Sequence, residues 1–474
     1  MLLALALASP LTTHAQTRPP LTLADAVLEA LARNPRILDQ RDAATQAELN
    51  VRLARNTFTP KVVPNVAGSF GQTNVANQDY RVDVTQKFVT GTQLRAGVGT
   101  SSAQVPGADG NGVLRFYDAD TTLALSQPLL RGLGVNATRR FLTSAEVREA
   151  DARRDHLLVE QQVAIQTASA YYRLVAQRGF VEVARKSFER ASKLREASEA
   201  KLAAGLVSQL DVLRAEQLVS QAEIQVFDTE SAMQDAADEL SFLMGREDRA
   251  VLDLDGGTPM PNTDVINAEA AVALALQNRL ELKTLAAHAA DSERQLSFTR
   301  NQLLPQVDVN LALTRRVTAD TFASSFGIDG YRLATFFTIA TPVDRTPQLI
   351  EFANARIDRE RQAREMTQTR RQITDQVTRA LRERDRLLRG AAAAEAAIDV
   401  SQREVEVAQL RYERGLSNNL DVVTAESNLL AAESRRIQAL ADLAVARLTL
   451  RAALGIFEPR RDVLPAALAG PLLP

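Results

Sequence analysis

The 474-residue sequence contains no cysteine and no tryptophan. The first absence excludes disulfides, thiolate chemistry and thiolate metal sites, and it leaves no residue for a lipid-anchored N-terminal Cys. Aromatic residues make up only 5% of the chain. Neither sign of charge is in excess: 56 basic against 58 acidic residues give a net charge of −2. That balance supplies no electrostatic case for a nucleic-acid partner. Also lacking is any run of ~18 uncharged apolar residues, the length a membrane-spanning helix needs. Of three His, one lies near the N-terminus, and His156 and His288 stand alone in helical stretches. Gly97-Val98-Gly99 lacks the third Gly and the following helix of a dinucleotide fingerprint. No nucleophile sits with a base and no spacing suits a metal. The chain does not read as an enzyme, and no cofactor is expected.

The N-terminus opens Met1-Leu2-Leu3-Ala4-Leu5-Ala6-Leu7-Ala8, and the small-residue site Thr13-His14-Ala15 follows. This pattern predicts a secretory signal over residues 1–15 and an exported mature chain. The basic segment that usually precedes the apolar run is missing, as it would be if translation began slightly upstream. A plain N-terminal tail is the alternative.

The chain says much the same thing twice. LAAGLVSQLDVLRAE occupies 202–216 and YERGLSNNLDVVTAE occupies 412–426. Aligned without gaps, Gly205–Gly245 and Gly415–Gly455 share 12 of 41 residues. Leu21–Val66 and Ile266–Leu311, offset by 245, share 11 of 46, including Asn56/Asn301 and Pro60/Pro305. The sequence is therefore a tandem duplication. The two offsets, 245 and 210, differ by 35, so the first copy carries about 35 extra residues in its middle. The expected organisation is a first repeat over 16–265, a second over 266–458 and a tail over 459–474.

Proline placement outlines the helices. None of the 17 Pro lies between Leu129 and Thr258 or between Gln348 and Glu458. Proline breaks helix interiors, so each window admits very long helices, divided once by Gly205 or Gly415. Within them apolar residues recur with period seven: Val422, Ala425, Leu429, Ala432, then Ala439, Leu443, Ala446, Leu450. Val212, Ala215, Val219 and Ala222 follow the same steps in the first copy. A sustained heptad predicts left-handed coiled-coil packing. The reading places long helices at 137–204 and 348–414, turns at Gly205 and Gly415, and returning helices at 208–244 and 418–454. Shorter helices fall at 36–59 and 281–304. A helix spanning 137–204 measures ~100 Å at ~1.5 Å per residue, about the sum of the two shorter ones in its repeat.

Two segments, 62–130 and 305–343, alternate apolar and polar residues instead. Arg81–Phe88 and Val307–Thr314 do so clearly; Leu94–Thr100, Thr121–Gln127 and Leu333–Thr341 more weakly. One apolar face, one polar face and aromatics near the ends fit strands of an outer-membrane barrel. Two or three hairpins cannot close such a barrel alone, and an open edge is not tolerated in lipid. The barrel is therefore expected to be shared between subunits. Asp79–Ser102 fits either two barrel strands or a separate hairpin. The Gly-rich run Pro106–Gly112 reads as an exposed extracellular loop.

With these elements assembled, the chain resembles the TolC family of outer-membrane efflux channels. The resemblance rests on the twice-used G-L-x-x-x-L-D-V-x-x-A-E after a long heptad helix, and on LSQPLLRG (125–132) where the strands return to the long helix. It implies a mostly α, mixed fold: a long antiparallel coiled-coil α-barrel forming a periplasmic tunnel, plus a transmembrane β-barrel shared between three protomers. It implies a homotrimer in outer-membrane lipid, a periplasmic adaptor protein and an inner-membrane RND or ABC pump as partners. Gly205, Leu206 and Val207, with Gly415, Leu416 and Ser417, become the adaptor-docking tips.

The resemblance also assigns roles near the second tip. Asp421 matches the first of two acidic positions that ring the family's closed aperture, while Thr424 stands at the second. Tyr412 and Asp211 match a pair that braces the closed state, and Ser417 replaces the basic member of that network. Both Asp residues equally suit helix starts. A periplasmic adaptor also uses coiled-coil hairpins, but it carries one hairpin flanked by lipoyl-like and small barrel modules, not two hairpins and amphipathic strands. A structural coiled-coil protein leaves the strands and the signal unexplained.

Overall fold

The computed structural model describes residues 20–69, 77–106, 113–247, 252–255, 267–326 and 330–464. The expected signal over 1–15, most of the loop 106–112 and the end of the tail lie outside them. In chain order the helices are α1 (Leu23–Arg33), α2 (Pro35–Asn56), α3 (Val135–Thr138), α4 (Arg140–Ala203), α5 (Gln209–Leu243), α6 (Ala268–Asn278), α7 (Leu280–Gln302), α8 (Thr346–Glu413), α9 (Asn419–Ala453) and α10 (Pro459–Asp462). The strands are β1 (Lys61–Gly68), β2 (Asn77–Lys87), β3 (Gln93–Pro106), β4 (Val113–Pro128), β5 (Gln306–Ala319) and β6 (Arg332–Ala340). Among the described residues no helix is long and apolar enough to cross a membrane.

The chain divides into two compact units: residues 1–38, 158–279 and 373–474 form one, and 39–157 and 280–372 the other. These units do not coincide with the two sequence repeats. Each draws on both, because every repeat begins in the first unit, passes through the second and returns to the first.

The helical unit is built on the heptad. Ile373, Val377, Leu387, Ala391, Val405, Ala408 and Tyr412 of α8 are buried, as are Val422, Ala425, Leu429 and Ala432 of α9. Small Ala beside larger residues lets helix axes approach closely. Not every seam position is apolar: Arg384 is buried too. A second core gathers Val27, Val163, Tyr172, Leu240, Met244, Leu448 and Phe457. There Tyr171 donates to the Leu21 carbonyl at 3.2 Å. Burial, with Asp255 and Asp25 nearby, pushes its phenol up to about 12, so it stays a neutral donor.

The other unit holds one six-stranded antiparallel meander in the order β1-β2-β3-β4-β5-β6. Asp79–Ser102 thus forms two strands of that sheet. The sequence pattern did not single out β1, because Val62-Val63 and Pro64 break its alternation. The register separates two faces. Val62, Val84, Ala96, Leu123, Leu313 and Leu333 lie in one row across all six strands. Val66, Val98, Leu125, Phe337 and Ile339 share that apolar face and stay exposed. The opposite face is polar. Arg81 on β2 reaches over Gly99 of β3 to both carboxylate oxygens of Asp120 on β4, at 2.8 Å each. Asn310 donates to Thr338 at 3.1 Å on the same face.

All four helices α4, α5, α8 and α9 end in the same way, on Gly205, Gly245, Gly415 and Gly455, with φ between 71° and 72°. In each, the Gly N–H bonds back three residues and the next N–H five, as in Leu206 N–H to Lys201 O at 2.9 Å. The surroundings differ. A Cβ at Gly205 or Gly415 would meet nothing within 4 Å, whereas at Gly245 it would lie 2.8 Å from Arg33 O and at Gly455 2.9 Å from Arg279 N. Gly205→Ala or Gly415→Ala should cost about 1–2 kcal/mol, the strain of an L-residue at positive φ. Gly245→Ala and Gly455→Ala add a backbone clash and should lower the melting temperature further. Thermal melts of the four single variants check that ranking, and equal shifts would contradict it.

Candidate docking and gating site at the hairpin tips

Both tips belong to the helical unit and adopt the same backbone. After Gly205 the chain exposes Leu206 at 74%, and after Gly415 it exposes Leu416 at 75%. An apolar side chain held out on a tight turn makes no contact that would stabilise its own chain. Val207 turns back and packs on the core beneath the tips. Ser417 spans the turn and donates to Asp421 at 2.5 Å.

The two copies start their returning helices differently. At α5, the Asp211 carboxylate accepts from the Ser208 N–H at 3.1 Å and from its hydroxyl at 2.7 Å. Asp211 is buried and lies 3.8 Å from Arg214. At α9, Asn418 takes the cap by accepting from the Leu420 N–H at 3.1 Å. That leaves Asp421 exposed in the first turn, where the helix dipole favours a negative charge. Thr424, also exposed, spends its hydroxyl on the Leu420 carbonyl at 2.9 Å.

Side chains beneath the turns tie the two copies together. The Tyr412 hydroxyl lies 2.8 Å from Ser198 Oγ. The Lys201 ammonium donates to the Tyr412 carbonyl and stands 3.8 Å above its ring. Asn419, fully buried, donates to the Asp211 carbonyl at 2.6 Å. Deeper in, Arg190 Nε donates to Glu426 at 2.6 Å and Gln409 to its other oxygen at 3.2 Å. Glu426 is only 4% exposed. Glu433 lies 3.8 Å from Arg190. Apolar packing by Leu194, Leu218, Val405 and Leu429 encloses this cluster.

Asp211 and Tyr412, paired in the sequence reading, meet the same cluster by different atoms. No hydrogen bond found among the described residues joins their side chains: Asp211 is engaged at its own helix start, and its backbone carbonyl makes the link through Asn419. A basic side chain does stand beside Tyr412, that of Lys201, four residues before the first tip. The sequence reading missed Lys201, Ser198, Asn419, Arg190 and Glu426. Only Glu426 left a signal, as part of the repeated A-E; its counterpart Glu216 is exposed.

This arrangement can be set against known proteins. Residues 26–246 and 271–456 match the family described as outer membrane efflux protein. The chain belongs to that family. The two matched blocks fall one in each repeat. Among curated proteins, the fusaric acid resistance protein FusA of Burkholderia cepacia is 35% identical over 126 residues, which is 26% of this chain. The matched stretch spans only 23% of that relative's length. Among solved structures, the outer membrane protein VceC of Vibrio cholerae superposes with a TM-score of 0.69 at 17% identity, covering 91% of this chain and 96% of that one. The CmeC outer membrane channel of Campylobacter jejuni gives 0.69 at 14% identity, covering 98% and 95%. At such identities the likeness is one of fold, and the fold and family are those of outer-membrane channels. The described residues contain no group of three or more His, Asp or Glu placed to hold a metal ion.

One half-buried carboxylate in the cluster is poorly served. Glu433 Oε2 has no hydrogen-bond partner. Desolvation raises its pKa above the usual carboxylate value and Glu426 adds to that, against the opposing pull of Arg190 and Lys186. A raised carboxyl pKa means the folded state prefers the protonated form, so this group's contribution to stability falls as pH rises through that pKa. Glu433→Gln should therefore raise the melting temperature at pH 7, and the gain should shrink as pH falls below the ordinary carboxylate range. A gain independent of pH, or a loss at pH 7, would contradict the assignment.

Proposed function

We propose that the protein is the outer-membrane duct of a tripartite efflux or type I secretion assembly. In this reading it is a homotrimer whose sheets together close one β-barrel in the outer membrane. Its helical hairpins extend into the periplasm and dock their tips on a periplasmic adaptor, which couples them to an inner-membrane RND or ABC pump. The observation that carries the reading is the pair of tips with the same backbone turn, each presenting an exposed Leu after a glycine. Six such tips in a trimer offer a repeated set of apolar knobs to the adaptor's own hairpins. The FusA likeness makes small-molecule efflux the first cargo class to test.

The same reading assigns the opening step. Ser198, Lys201 and Tyr412 hold the end of one hairpin against the other, so widening the aperture requires breaking a hydroxyl pair and a cation–π contact. Asp421, exposed beside the second tip, faces its two symmetry mates. Three carboxylates in a narrow, partly dry constriction repel one another and attract cations. Thr424 adds no second acidic ring, which makes cation block weaker than where two rings are present.

Two experiments test this. The double variant Gly205→Trp, Gly415→Trp should leave assembly and membrane insertion intact, since open space surrounds both turns, yet abolish cargo resistance in cells supplying the cognate adaptor and pump. Full resistance in the double variant would reduce the tips to turns. In planar bilayers, the purified trimer should prefer cations and be blocked by multivalent cations from the periplasmic side, and Asp421→Ala should weaken both effects. Unchanged selectivity and block would leave Asp421 only its place in the helix start.

A further inference from the structure

The two sequence copies contribute unequally to the sheet. The second repeat supplies β5 and β6, while the first supplies β1, β2, β3 and β4. Pro60 aligns with Pro305, so β1 corresponds to β5. The 210 offset maps the end of β4 near 128 onto the end of β6 near 338. What remains unmatched is β2 and β3, which accounts for the extra ~35 residues of the first copy. The insertion is therefore a complete β-hairpin.

That hairpin is part of the sheet wall on every count. β2 pairs with β1 over residues 78–85, and β3 pairs with β4 along its whole length. On the polar face, Arg81 of β2 crosses β3 to grip Asp120 of β4 at 2.8 Å. At the turn end, Gln86 donates to the Phe58 carbonyl at 2.6 Å, and Thr92 donates to Gln127. The Thr90 carbonyl accepts from Gly134 in the connection to α4. On the apolar face, Val84 and Ala96 continue the row from Val62 of β1 to Leu123 of β4. A hairpin folded outside the wall would forfeit all of these.

The edges of the sheet then define what joins them. β1 has eight residues and β6 nine, and every residue of both is exposed. An even number of strands in an antiparallel meander puts β1 and β6 in opposite directions, so β6 of one chain can pair antiparallel with β1 of another. Both edge strands carry the apolar face, through Val62 and Val66 on one and Phe337 and Ile339 on the other. An apolar-faced sheet cannot leave such edges unpaired in lipid. Pro64 lacks an N–H and removes one rung, which a ladder of eight can spare.

We propose that β6 of each protomer pairs with β1 of the next copy of this chain, closing three six-stranded sheets into an eighteen-stranded barrel widened by the inserted β2–β3 hairpin. This rests on the trimeric duct proposed above. With strands ~4.8 Å apart and tilted ~40°, eighteen strands give a backbone diameter of about 36 Å, against about 24 Å for the twelve that three uninserted copies would supply. The insertion thus enlarges the outer vestibule by about half and leaves the periplasmic tips unaltered.

The cysteine-free sequence makes the test direct. Cysteines placed singly at Val62, Val63, Asn65 or Val66, each combined with Phe337→Cys, should yield under mild oxidation a disulfide-linked ladder ending at trimer for at least one pair. Val62→Cys with Leu123→Cys, which would link β1 to β4, should yield no crosslink, because two strands separate them. Electron cryomicroscopy of the detergent-solubilised trimer should count eighteen strands. Uncharged polymers added from the outer side should enter a vestibule wider than that of a trimer from which residues 77–106 are deleted. An intact trimer with β1–β4 crosslinks, twelve strands or no β1–β6 ladder would overturn this inference and leave the duct standing. A chain that fractionates as a water-soluble monomer would overturn the duct and this inference together.

Discussion

The period-seven seam is the interaction on which the helical unit depends. Helices of 64 and 68 residues cannot draw their stability from propensity alone; they need a partner at every turn. A heptad supplies one only when the helices supercoil together, which keeps the same stripe facing inward over the whole length. The stripe of α8 runs from Ile373 to Tyr412, buried at most of its positions and half-buried at Ala380, Ala394 and Ile398. Because the seam holds to its last residue, it delivers Tyr412 beneath the tips, where Ser198 and Lys201 meet it. The turn beyond is then free to point Leu206 and Leu416 outward.

Duplication set the backbone and left the side chains to diverge. The two tips share glycine geometry and helix-end hydrogen bonds, yet their aspartates differ: Asp211 is buried at a helix start and Asp421 is exposed beside Ser417. Glu216 is exposed, whereas Glu426 is buried against Arg190 and Gln409. A charge buried with its partner needs every bond it can make, and Glu426 has two. Equivalent positions in two copies of a sequence do not meet equivalent neighbours, since each copy packs partly against the other, whose side chains differ from its own.

The sheet shows the same asymmetry at larger scale, with four strands from one copy and two from the other. Its apolar and polar faces are separated by register alone. The alternation that marks Arg81–Phe88 and Val307–Thr314 is visible in the sequence because each strand has one dry and one wet side. β1 escaped notice because Pro64 and the Val62-Val63 pair interrupt that rhythm, and only pairing with β2 keeps it extended.

Periodicity, proline-free windows and the internal repeat were enough to determine the fold class: heptad helices, turns at paired glycines and a small amphipathic sheet. These are local properties, and a period or a backbone break is written in consecutive residues. Tertiary structure decided the rest. It placed the inserted hairpin inside the sheet wall, because pairing partners for β2 and β3 are found on strands both before and after them. It also assembled the cluster beneath the tips from Arg190, Ser198, Lys201, Tyr412, Asn419 and Glu426, residues more than 200 positions apart. No local pattern marks such a set, because what selects them is the buried polar atom each must satisfy on the other hairpin.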